Sequence, residues 1–330
     1  MKTVTDSLQL PAYTSRIFDM YFKDRSFAVF DIETTGLSPG RCKVILSGML
    51  LRDREGYRVI QYFADQPDDE AQIIEKTQEQ LEQVDYVITY NGRHFDMPFM
   101  ETRAKKHGIT FEPKVYNLDL FLVVQSCSDL RQTLTNLKQK TLEVFMGLSD
   151  GRDDKISGGE SVALYQQYMQ SHAFALEKTI LLHNHDDLIQ LYRLLPVIAK
   201  TDFHKAMYKR GFPAGNFLIE KISISGKTLI VCGRQLKKPV SYISFPTEDN
   251  PISLNMNAAD GSFELTVPCT CQAGALYFDV AALLGENLSA IEKYPSVVNG
   301  YLVAENRGTI NYLEINRFLL EYFSKLNQLL

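Results

Sequence analysis

Apolar residues come in short runs broken by turn signals over the first two thirds of the chain. FAVFDIE opens with four apolar residues and closes on acids, which predicts a buried strand. CKVILSGMLLRD and GYRVIQYFAD predict two more strands, with REG as the turn between them. From Asp68 to Val84 the spacing changes: Ile73, Ile74, Leu81 and Val84 fall on a helical face, and Pro67 with Asp68, Asp69 and Glu70 marks its start. DYVITYNG predicts a strand ended by Asn91-Gly92, PFMETRAKKHG a helix closed by Gly108, and VYNLDLFLVVQ a further strand. Leu130 to Ala206 reads as mainly helical, interrupted by the polar stretch SDGRDDKISGGE. Strands first, then alternation, then helices predict an α/β domain with a mixed sheet flanked by helices.

Beyond Gly211 the period drops to two. KISISGKTLIVCG alternates about Ser225-Gly226, and PISLNMNAADGSFELTVP about Asp260-Gly261. Ile252, Leu254 and Met256 share one face, as do Phe263, Leu265 and Val267. YLVAENRGTINY predicts another hairpin. Leu313, Phe318, Leu319, Tyr322, Phe323 and Leu326 then form the stripe of a closing helix. The expected organisation is an α/β domain over 1–210 and a smaller antiparallel β-rich unit over 211–330.

Length and composition narrow the class. A chain of 330 residues with 45% hydrophobic residues suits two globular domains. No apolar run reaches the ~18 residues of a membrane span, and the N-terminus lacks a basic segment followed by an apolar core. Five scattered cysteines argue against a disulfide framework, so a reducing, cytoplasmic setting is expected. Cys269 and Cys271 have one residue between them, too close for a zinc ribbon, and read with Cys232 as ordinary buried cysteines. A net charge of −5 excludes coating of nucleic acid by bulk positive charge, but not a local encounter with it.

The chemistry lies in acids set among apolar residues. In FAVFDIETTG, Asp31 and Glu33 alternate on one strand, so both carboxylates point to one face. Buried together they repel and lose hydration unless a cation sits between them; on an edge strand they would simply be solvated. Thr34, Thr35 and Gly36 end the strand with small groups past which a polymer can run. In VITYNGRHFDMPFM, Asp96 stands at the start of a helix, as a cap or as a functional acid. In ILLHNHDDLIQLYRLL, His183 and Asp187 are neighbours on one helical face, either a supporting pair or a metal-and-base pair. His185 and Asp186 fall off that face, toward solvent.

Taken in order, DIETTG, NGRHFD and HNHDD resemble the three motifs of the DEDD (DnaQ-like) 3′–5′ exonucleases of the ribonuclease H-like fold, and are similar above all to the YprB-like ribonuclease H-like family. LTNLKQKTLEVFMG and DDKISGGESVALYQQYM extend the likeness, which runs from about Phe27 to Ile198. The resemblance implies two-metal phosphodiester hydrolysis with Mg²⁺ or Mn²⁺, two ions to a site. It makes Asp31 the bridging ligand and assigns Glu33 and Asp187 to the ion that generates the nucleophile. Asp96 then supports the second ion. It also implies that His183 accepts or orients the proton of the attacking water, work suited to an imidazole with its ordinary pKa of about 6.5. Many members carry a Tyr where His183 stands, with three residues before the final Asp; members with a His carry four.

The expected partner is a single-stranded end of DNA or RNA, with Phe95 and Tyr90 as stacking surfaces. No membrane partner is expected. Asn91 reads as a turn residue, and Arg93 and His94 as possible phosphate contacts. Arg103, Lys105 and Lys106 form either a backbone-binding stripe or a solvated face. Asp119 either assists the acidic cluster or binds neighbouring backbone. The rival function is a non-catalytic nucleic-acid or protein binding module on the same scaffold. An HD-type phosphohydrolase needs further His and Asp ligands that no partner segment presents.

Overall fold

Strands whose linkers are short pair as antiparallel neighbours, and those separated by helices pair in parallel. This rule accounts for most of the first sheet of the computed structural model, which describes all residues except 53–55, 149–151, 154, 155, 157, 248–250 and 330. The chain folds as two units. The first takes residues 1–14 and 24–201; the second takes 15–23, which carry helix α1 (Arg16–Phe22), together with 202–330.

Among the described residues the first unit has six strands: β1 (Lys2–Leu8), β2 (Phe27–Thr34), β3 (Val44–Arg52), β4 (Tyr57–Phe63), β5 (Tyr86–Thr89) and β6 (Tyr116–Asp119). Their order is β1-β4-β3-β2-β5-β6. The first four are antiparallel, while β5 joins β2 and β6 joins β5 in parallel. The parallel crossovers are made by helices α2 (Glu70–Leu81) and α3 (Asp96–His107). The mixed α/β sheet is the architecture expected. Strand β1 was not expected: KTVTDSL carries too few apolar residues to signal a strand, and only its pairing along β4 makes it one.

The helices α4 (Leu120–Cys127), α5 (Leu130–Thr133), α6 (Gln139–Phe145), α7 (Gly158–Ser171) and α8 (Phe174–Arg193) complete the unit. VYNLDLFLVVQ is not one strand. It ends at Asp119, whose carboxylate accepts the Leu122 N–H and caps α4. A short apolar run fits a buried helix as well as a strand, and the cap decides between them. Both faces of the sheet are covered. On one, the Thr77 hydroxyl of α2 donates to Ser47 at 2.7 Å. On the other, Asn184 of α8 lies over Gly48, the next residue of β3. Strands β2 and β3 are accordingly buried on both sides rather than alternating.

The second unit contains helix α9 (Phe203–Arg210), so the division expected at Gly211 comes after this helix in the chain. The reason is a polar clasp: the Asn316 amide donates to the Tyr21 hydroxyl at 2.9 Å and the His204 carbonyl at 2.8 Å. No periodicity in the sequence signals such a contact. Strands β7 (Phe212–Ala214), β8 (Phe217–Ser225), β9 (Thr228–Gln235), β10 (Tyr242–Ser244), β11 (Ser253–Met256) and β12 (Ser262–Pro268) form an antiparallel sheet in the order β10-β11-β12-β9-β8-β7. A smaller sheet holds β13 (Thr270–Gln272), β14 (Ala275–Asp279), β15 (Val297–Val298), β16 (Tyr301–Asn306) and β17 (Thr309–Ile310). Helix α10 (Val280–Leu284) follows β14, and α11 (Tyr312–Leu329) closes the unit, with Phe323 against Phe217 and Phe263 and Phe318 against Phe278.

One buried ion pair ties α2, α3 and β3 together. Glu70, with no exposed side-chain surface, accepts Arg103 Nε at 2.7 Å and Nη2 at 2.6 Å, as well as the Val44 N–H at 2.8 Å. Arg103 is thereby withdrawn from the basic stripe considered above. Lys105 pairs with Glu101, and Lys106 donates to the Gly40 carbonyl. Without the guanidinium, buried Glu70 is left to the Val44 N–H and the His107 ring at 2.8 Å, so Arg103→Ala is expected to destabilise the protein by about 3 kcal/mol. Urea unfolding of the variant against wild type measures this.

Candidate metal centre

Asp31 and Glu33 lie in the second half of β2, near the carboxyl ends of the parallel strands, where open α/β sheets place their ligands. Asp31 is held by a row across three strands. Asp31 pairs in register with Gly48, and Gly48 with Gln61. Asn184 spans this row from α8: its Nδ2 donates to Asp31 Oδ2 at 2.9 Å, and its Oδ1 accepts Gln61 Nε2 at 2.9 Å. Gln61 also donates to the Leu181 carbonyl. Only glycine fits beneath this amide, since a Cβ at Gly48 would lie 1.9 Å from Asn184 Oδ1.

Helix α8 brings the third motif over the same face. His183 is buried, at 3% exposure, with Nε2 3.7 Å from Glu33 Oε1 and 3.6 Å from Asp187 Oδ2. One donor atom from each of Glu33, His183 and Asp187 lies within 4.8 Å of the others. His183 therefore stands in the donor set itself, as well as where a base is expected.

Asp96 follows the loop between β5 and α3. It is the first residue of the helix rather than its cap, a position held by Phe95. Its carboxylate is buried and accepts the Ile32 N–H of β2 at 3.2 Å, which sets it beside Asp31. The loop is fixed by Asp119, whose carboxylate accepts the N–H groups of Asn91 at 2.9 Å and Arg93 at 3.0 Å. Asn91 has φ of 65° there, a left-handed conformation that Asn tolerates. Asp119 is thus the backbone-binding acid of its two alternatives. Arg93 is turned inward, donating to the Asn117 carbonyl with its guanidinium 5.2 Å from the Tyr116 ring centre.

The electrostatics record the convergence. Burial, then the negative fields of Asp96, Asp187 and Glu33, push the Asp31 carboxyl well above its ordinary range, against the hydrogen bond from Asn184. Burial also pushes Asp96 up to about 7; backbone N–H groups, Ile32 among them, oppose this, while Asp119 and Glu33 add to it. Hard carboxylate oxygens gathered where Asp31 and Asp96 resist ionisation suit a hard divalent cation such as Mg²⁺ or Mn²⁺, which would relieve the repulsion.

Asp31, Glu33, Asp96, His183 and Asp187 thus come together. Other candidates do not join them. Asp186 is buried rather than solvated, accepting the Asp153 N–H at 2.7 Å, because the chain at 152–153 covers that side of α8. His185 is half-buried beside Asp6 and Asp186. Tyr90 is committed to the Leu137 carbonyl and the Phe121 ring, and Phe95 packs on Phe99. Asn184 and Gln61 were not anticipated. Asn184 did carry a signal: it is polar yet lies at helical spacing between buried Ile180 and Leu188. Gln61 and Gly48 carried none.

The model of the RNase H superfamily matches residues 28–198, which is more than half of the chain and includes every residue of this centre. The chain belongs to the RNase H superfamily. A stretch of 109 residues is 31% identical to a DNA polymerase of Methanocaldococcus jannaschii; it spans 31% of this chain and 6% of that polymerase. Among solved structures, the family B DNA polymerase of the hyperthermophilic archaeon Pyrobaculum calidifontis aligns with a TM-score of 0.44 at 14% identity. That alignment covers 92% of this chain and 47% of the other.

Because the folded-state pKa of Asp96 is raised, the folded protein binds more protons than the unfolded one between the ordinary carboxylate range and about 7. Its ionisation therefore destabilises the fold as pH rises through that window. In chelator-treated protein, Asp96→Asn is expected to raise the melting temperature by a few degrees at pH 8, at about 2–4 °C per kcal/mol, and by less at pH 5. Calorimetric scans at the two pH values measure the difference.

Proposed function

We propose that this protein is a divalent-metal-dependent 3′–5′ exonuclease acting on single-stranded ends of DNA or RNA. The observation that carries the reading is the donor cluster of Glu33, His183 and Asp187, with Asp31 and Asp96 beside it and within reach of its field, all from three separate segments. Membership of the RNase H superfamily and the segment similar to a DNA polymerase support it. The narrower kinship to YprB-like proteins belongs to the same proposal.

Asp31, Glu33, Asp96 and Asp187 hold the divalent ions, which when bound neutralise charge on the phosphodiester and lower the pKa of a water. Asn184 keeps Asp31 turned toward the pocket, and the Ile32 N–H does the same for Asp96. His183 Nε2, facing Glu33 and Asp187, takes or orients the proton of the attacking water. Water adds to phosphorus, the bond from phosphorus to the bridging 3′ oxygen breaks, and a nucleoside 5′-monophosphate leaves a strand shortened by one residue. The same 3.6–3.7 Å approach to both carboxylates gives a second reading, in which His183 ligates an ion itself. In His183→Ala, a lost acidic limb of the pH–rate profile marks the base, whereas an unchanged profile with a weaker metal midpoint marks the ligand.

The proposal is tested with 5′-labelled DNA and RNA strands and Mn²⁺. Wild type is expected to produce ladders shortened from the 3′ end. Asp31→Ala is expected to fall by more than about 100-fold, the upper end of what loss of an outer-shell partner does. Intact strands with wild type, or equal activity in the variant, would refute it.

A further inference from the structure

The two carboxylate oxygens of Asp187 have different partners. Oδ2 faces His183 Nε2 at 3.6 Å, within the donor cluster. Oδ1 lies 2.5 Å from Nη1 of Arg152. Arg152 is held from its other edge by Glu143, through Nε to Oε2 at 2.6 Å and Nη2 to Oε1 at 2.6 Å, two parallel charge-assisted bonds. Glu143 is 2% exposed and sits on α6. Gln139, one turn earlier, donates both to Glu143 Oε1 at 3.0 Å and to the Asp187 carbonyl at 3.1 Å. The Asp153 N–H on Asp186 anchors the backbone next to Arg152.

A fork held at one edge by a buried acid presents its remaining nitrogen in a fixed direction. Glu143 also cancels the charge of Arg152, so the pair adds no net charge beside the ions' ligands. What it supplies is direction. With Oδ1 bound to the guanidinium, rotation of the Asp187 carboxylate is blocked and Oδ2 stays turned toward Glu33 and His183.

We infer that Glu143 and Arg152 form a positioning relay that sets the orientation of Asp187 for metal binding. Arg152 acts through Asp187 and is not itself a ligand. The inference rests on the reading of the cluster as a metal site and adds to it a requirement from outside the three motifs. A lysine at position 152 is a point donor and cannot make both the forked bond to Glu143 and the bond to Asp187.

Mn²⁺ titration of the full chain by calorimetry tests the relay, with melting curves in chelator to verify folding. Arg152→Ala is expected to weaken the Mn²⁺ midpoint by about 10–100-fold, as outer-shell losses do. Arg152→Lys is expected to fall between the two. Glu143→Gln is expected to weaken binding in the same direction, and the double variant Glu143→Gln/Arg152→Ala to match Arg152→Ala alone, since Glu143 acts through Arg152. An unshifted midpoint in folded Arg152→Lys and Glu143→Gln overturns the relay while leaving the metal site standing. A tighter midpoint in Arg152→Ala overturns it too, because Arg152 would then compete with the ion. Absence of Mn²⁺ binding by wild type overturns the proposed function and the relay together.

Discussion

Like charges do not gather in a protein interior unless something holds them there. Asp31 and Asp96 resist ionisation in the folded state because each loses water and faces other acids. The fold keeps these groups together by tying each to a rigid element. Asp31 is bound to α8 through Asn184, Asp96 to β2 through the Ile32 N–H, and Asp187 to α6 through Arg152 and Glu143. A divalent cation bound at the pocket would recover stability that the fold forfeits there.

The supports are themselves buried polar groups, each with a partner. Asn184 bridges Asp31 and Gln61 over the bare backbone of Gly48. Asp119 takes backbone N–H groups from the Asn91–Arg93 loop and from the start of α4, so one carboxylate fixes the second motif and ends β6. Glu70 and Arg103 do comparable work between α2, α3 and β3. These groups lie outside the acidic cluster and limit the freedom of the residues within it.

The superfamily assignment covers 28–198 and says nothing of the antiparallel sheets that follow. Those sheets are built on ordinary alternation: Leu254 and Met256 pair across from Leu265 and Phe263, all four buried. Their aromatic packing on α11 accounts for the second unit as a structure.

Local periodicity was enough to place β2 to β5, α2, α3 and the hairpins of the second unit, because burial of one face imposes its own spacing on the residues. Motif order was likewise enough to single out Asp31, Glu33, Asp96, His183 and Asp187. Along the chain, however, Asp96 reads as a helix cap and Asp186 as a solvated neighbour. Each was decided by a segment distant in sequence: Ile32 for the first and Asp153 for the second. Gln61, Glu143 and Arg152 are common polar residues with no local mark of use. Periodicity reports which face of an element is buried, whereas a hydrogen-bond partner depends on which elements meet, and that exists only once the sheet and its helices have come together.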